Sequence, residues 1–207
     1  MATEVDICNM ALSFLGDRAT LTSINPPEGS AQAEHCARFY PMAVKEILSQ
    51  ARWTFASKRA KLAAFSDDVP GANFAHALPG DCLKVQTVYG GNGQVLHEWT
   101  VERVGSATGL RTKVAADYIR YTSSDTPAAL FPATFTLALA HLLASKIAGA
   151  MVTGPTGIEM SQGQLKYYDY YLRQAIVDDA GQTNEAIEVR DKYMGDFIGE
   201  GDWYGQL

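Results

Sequence analysis

A few pairings in this chain bring together residue types that catalysis uses. His35 beside Cys36 offers an imidazole base next to a thiol, the components of a nucleophilic site. Adjacent residues on a helix project about 100° apart, however, so this spacing points to a buried thiol beside a surface imidazole. Asp67-Asp68 and Asp178-Asp179 supply carboxylate pairs, the groups that glycosidic hydrolysis needs on either side of a scissile bond. Sequence neighbours seldom face one another, and solvated loop and helix-end charges are the simpler reading. His76, His97 and His141 fall on different predicted elements, with no acidic or thiol residue at ligand spacing, so neither a metal nor a cofactor is expected. His141, on an apolar helix, is expected to be a hydrogen-bonded core residue. Phosphate loops, dinucleotide fingerprints, nucleophile elbows and paired CxxC motifs are all missing from the sequence. No catalytic residue is assigned.

The tyrosines are more informative. Tyr167, Tyr168, Tyr170 and Tyr171 wrap most of one predicted helix, so they cannot all enter a single core. Tyr167, Tyr170 and Tyr171 are therefore candidates for a subunit interface. The glycine-rich end of the chain carries Tyr193, Phe197, Trp203 and Tyr204 at spacings too irregular for one helical face, which suggests an extended C-terminal arm with aromatic anchors for a partner.

The elements that position these residues read as mainly helical. The stretch LFPATFTLALAHLLASKIAGAMV is apolar nearly all round, with its large residues at helical spacing, and so belongs in the middle of a core. His141, Lys146 and the abundance of alanine argue against a membrane span. Helices are predicted over 4–15, 31–51, 131–152 and 157–180, the first capped by Thr3 with Asp6 three residues on, the second continuing its stripe across Pro41. ARWTFASKRAKLAAF interleaves basic and aromatic residues and reads as an amphipathic connector with solvated charges. Alternation then predicts strands confined to about 82–121, in a small antiparallel meander with one strand running from Val95 past Trp99 to Val101. The expected architecture is a mainly α helical bundle over residues 1–181 with a small antiparallel β insertion at 81–122, followed by a C-terminal arm at 182–207.

The net charge of -6 argues against a protein that grips nucleic acid through its phosphates, which needs a clustered cationic surface, although it does not exclude a local basic patch. Cys8, Cys36 and Cys82 are odd in number and set in apolar surroundings, as expected of buried thiols in a reducing compartment.

EVDICNMALSFLGD, FYPMAVKEIL running into ARWTFASKRAKLA, PGDCLKV, YIRY, FPATFTLALAHLLASKIA and QLKYYDYYLRQAIVDDA together resemble, in order, the head-to-tail adaptor proteins of short-tailed bacteriophages. The resemblance covers most of residues 4–180. It implies a structural virion protein, made in the host cytoplasm, that forms a ring of about twelve copies beneath the portal. Implied partners are further copies of itself, the portal, tail nozzle or tail fibre proteins, and genomic DNA passing through without specific binding. The alternative is a small virion-associated hydrolase acting on peptidoglycan.

Overall fold

The computed structural model describes residues 2–18, 20–65, 74–104 and 107–182. Helix α1 (Glu4–Phe14) begins with a reciprocal cap: the Asp6 amide donates to Thr3 Oγ1 at 3.1 Å, and the Thr3 amide donates to the Asp6 carboxylate at 2.8 Å. Helix α2 (Ala31–Gln50) starts on Ser30, whose hydroxyl accepts from the Ala33 amide, and runs through Pro41 as a single element. Helix α3 (Ala133–Met151) follows Pro132, and helix α4 (Pro155–Ala180) follows Gly154, which takes φ 79° to turn the chain.

Helix α3 packs against α1, α2 and α4. Its Phe135, Leu139, Leu143 and Ile147 are completely buried, and with Ile7, Leu12, Ile47 and Leu48 they form the helical core. The helix is long and apolar enough to cross a membrane, yet 67% of that stretch is buried inside the structure, which is the mark of a core helix.

The β structure departs from the expectation. Strands β1 (Ser57–Lys61), β2 (Ala63–Ala64), β3 (Phe74–Ala77), β4 (Cys82–Gly90), β5 (Val95–Leu96), β6 (Trp99–Val104), β7 (Ala107–Thr112) and β8 (Ala116–Ser123) make two four-stranded antiparallel sheets, ordered β1-β8-β4-β5 and β2-β3-β7-β6. With 46% of residues helical and 26% in strands, this is a mixed α and β fold, and the expected mainly α bundle with a small insertion is incorrect. Two physical reasons account for the error. The connector SKRAKLAA has no β-branched residue, yet its backbone pairs with β8 and β3, because a partnered edge strand tolerates exposed charges. The predicted single strand through Val95 and Val101 breaks at His97-Glu98, so β5 pairs with β4 in the first sheet while β6 pairs with β7 in the second.

The sheets share their own core of Leu62, Val85, Val88, Leu96, Leu110, Ile119 and Tyr121. Helices and sheets are joined by the segment after α2. Trp53 is completely buried and donates its indole N–H to the Ile47 carbonyl at 3.0 Å, and its ring meets Phe55 and Phe135. This aromatic cluster, completed by Phe131, sits where the chain passes from helix to strand.

His76 on β3 is 6% exposed, and both of its ring nitrogens lack a hydrogen-bond partner. Burial lowers its pKa, against a smaller opposing pull from Asp117. The unfolded chain then takes up this proton first as the pH falls, so the neutral imidazole's contribution to stability is full above about pH 6.5 and declines below it. His76→Leu should flatten the loss of stability between about pH 7 and pH 5 in denaturant titrations. If the variant and parent lose stability in parallel, the account of His76 is wrong.

Candidate interaction surface

Helix α4 turns Gly157, Tyr168, Ala175 and Asp179 inward. At Gly157 a Cβ would lie 2.0 Å from the Val152 carbonyl oxygen, so only glycine lets the start of α4 close on the end of α3. Burial pushes the Tyr168 hydroxyl up to about 12. At the other end, the Asp179 carboxylate accepts from the Thr54 amide at 2.9 Å and the Thr54 hydroxyl at 2.7 Å, tying the helix to the chain entering β1. Burial raises the Asp179 pKa, and the Thr54 hydrogen bonds pull against that rise.

Two of the three tyrosines singled out in the sequence, Tyr167 and Tyr171, converge on His141, which is the hydrogen-bonded core residue expected. Its Nδ1 pairs with Gln164 Oε1 at 2.6 Å, and Gln164 in turn donates to the Phe14 carbonyl. The imidazole stacks on Phe14 at 4.1 Å, on Tyr171 at 5.3 Å and on Tyr167 at 5.3 Å, while Tyr170 meets Tyr171 edge-on. Burial lowers the His141 pKa, favouring a neutral ring within this stack. Tyr171 is half-buried, whereas Tyr167 and Tyr170 are 57% and 59% exposed. Ile158, Leu165 and Val177 are exposed on the same helix. Ile158 and Leu165 stand outside because the packed arc is set by Gly157, Gln164, Tyr168 and Ala175. A rigid, stacked base carrying exposed rings is the composition of an interaction surface.

The chain matches no family model, and no curated protein matches it.

The remaining sequence candidates separate. Cys36 makes its hydrogen bond with the Cys8 thiol, and that contact together with burial holds Cys8 protonated, so the thiol partner of Cys36 is not His35. Asp178 is exposed while Asp179 is turned into Thr54, so this carboxylate pair does not converge; the reading of Asp179 as a solvated helix-end charge is also incorrect. Asp67-Asp68 and the arm residues Tyr193, Phe197, Trp203 and Tyr204 lie outside the described residues. Among the described residues no cluster of His, Cys, Asp or Glu could hold a metal ion.

Sequence reasoning missed the polar staple around Asp81. Its carboxylate accepts from Ser123 Oγ at 2.7 Å, Lys58 Nζ at 3.0 Å and the Tyr121 hydroxyl at 3.0 Å, which joins β1, β8 and the turn before β4. The Ser123 hydrogen bond leads the causes that hold this carboxyl at about 2. The aspartate in PGDCLKV was visible in sequence, but its donors lie on strands far away in the chain.

Proposed function

We propose that the protein is a structural component of the virion: a head-to-tail adaptor that assembles as a ring between the portal and the tail of a short-tailed bacteriophage and extends the DNA channel. The observation that carries this reading is the outer surface of α4, where Tyr167 and Tyr170 stand exposed on a stacked aromatic base. Large rings held in place lose little conformational freedom when a partner covers them, which suits repeated contacts between identical subunits. A ring uses unlike faces of each copy, so α4 would meet a different surface of its neighbour. The ordered resemblance of segments across residues 4–180 supports the same assignment. In this reading the C-terminal arm, with Tyr193, Phe197, Trp203 and Tyr204, reaches the portal or a neighbouring copy.

The hydrolase alternative gains no support from Asp178 and Asp179, which do not face a common cleft. The experiment is a double substitution, Tyr167→Asp with Tyr170→Asp, at positions already in water. The variant should keep the parent's melting temperature to within a few degrees and lose ring formation with the portal, as read by negative-stain imaging. Rings of normal appearance from the variant would remove α4 from the interface.

A further inference from the structure

The first sheet presents a basic outer face that the chain's overall acidity conceals. Antiparallel register places residues in rows across β1, β8 and β4: Ser57, Thr122 and Lys84; then Arg59, Arg120 and Thr87; then Lys61, Tyr118 and Tyr89. The opposite face of the same strands carries Ala60, Ile119, Val85 and Val88 into the core between the sheets, so these rows point away from it. The first row is closed off by the helices: Thr122 is buried and Lys84 donates to the Ser49 carbonyl at the end of α2. The second and third rows lie open. Arg59 and Lys61 are exposed, Tyr118 is 48% exposed, and the Arg59 guanidinium lies over the Tyr89 ring at 5.8 Å. No carboxylate occupies any of the three rows, and Asp179 at the end of α4 acts on Arg120 from outside them.

We propose that this face, built on Arg59, Lys61, Arg120, Tyr89 and Tyr118, contacts the phosphate backbone of duplex DNA without regard to sequence. The cations of successive rows are two residues apart along their strands, roughly 7 Å, so a polyanion lying along the strands meets positive charge in each row. Tyrosine and threonine hydroxyls between them can donate to phosphate oxygens, and planar guanidinium groups suit phosphate better than a carboxylate-neutralised surface would. Nothing here reads base edges: the face is a flat sheet, with no helix or ribbon that would enter a groove. The net charge of -6 of the whole molecule keeps such a contact weak and easily broken by salt, as a moving DNA requires. The choice of duplex DNA as the polyanion rests on the adaptor reading; the charge pattern does not.

Fluorescence anisotropy of a labelled 30-base-pair duplex, titrated with the full-length protein over a salt series, tests the proposal. Binding should be independent of duplex sequence and weaken steeply with salt. Arg59→Glu with Lys61→Glu should weaken binding by about 10-fold or more at low salt and reduce the slope of log affinity against log salt by about 1.8, the value for two lost phosphate contacts. Arg38→Glu with Lys45→Glu, which makes the same change in net charge on the exposed surface of α2, should leave the slope in place. The proposal is overturned if the parent does not bind at low salt, or if the α2 variant loses as much as the sheet variant. It is also overturned if the sheet variant binds DNA normally but fails to form rings, which would assign the face to a protein partner. Ring formation by the parent is scored separately, so failure of the adaptor reading remains distinguishable from failure of this one.

Discussion

Replacing Phe135 by alanine is expected to lower the free energy of unfolding by ~3–5 kcal/mol. The side chain is completely buried, and its ring meets Trp53 edge-on at 5.0 Å, Phe55 at 4.9 Å and Phe131 at 4.8 Å. Its removal therefore deletes apolar surface and also leaves a cavity against three aromatic neighbours that lose their contacts with the ring. Because Trp53 and Phe55 lie between α2 and β1, the loss should be felt in both halves of the fold, as one cooperative transition at a lower denaturant midpoint. A midpoint close to the parent's would mean that this cluster does not join helices to sheets.

Asp81→Ala should cost about 2–3 kcal/mol, the range expected when a charged acceptor is removed and its donors are left without it. Ser123, Tyr121 and Lys58 would all lose an acceptor; the serine and tyrosine are the costly ones, since both residues are buried while Lys58 can return to water. The pH dependence has a definite sign. The carboxyl is held at about 2, below its value in an unfolded chain, so its contribution is fully present above about pH 4 and is lost as the pH falls toward about 2. The parent's acid unfolding should therefore contain a component that Asp81→Ala lacks. Identical acid-unfolding curves would show that the staple is not stabilising.

The helices were legible because each carries a local signal that tertiary context reinforces. Thr3 with Asp6 marks a helix start that the backbone adopts, and the stripe that continues across Pro41 belongs to one helix, α2. The apolar circumference of α3 likewise foretold its burial and the role of His141. The sheets were only half legible. Cys82–Gly90 alternates and was readable, but its bulges around Cys82 and Gln86 shift the register in ways that alternation does not reveal. β1 is lysine- and arginine-rich and β3 is the tetrapeptide FAHA following a proline- and glycine-rich stretch, so neither meets the composition expected of a strand.

The interaction surface was legible to a similar degree. Tyrosines at positions 167, 168, 170 and 171 cannot share one face, and that geometry alone required some to be outside. Which ones remained hidden, because the inward arc of α4 is fixed by Gly157 closing on Val152 and by Gln164 reaching His141, contacts between separate elements. The basic face of the first sheet shows the same limit. Arg59 and Lys61 were visible as solvated charges, but Tyr89, Tyr118 and Arg120 join them only through strand pairing.

The central claim is that this chain builds a ring on a portal, and the mass of the assembly tests it most directly. Light scattering coupled to size-exclusion chromatography should give a monomer of 22.4 kDa for the protein alone, and, after mixing with the portal of the same phage, a single complex heavier by about twelve copies. An unchanged portal peak with the protein still eluting as a monomer would contradict the account.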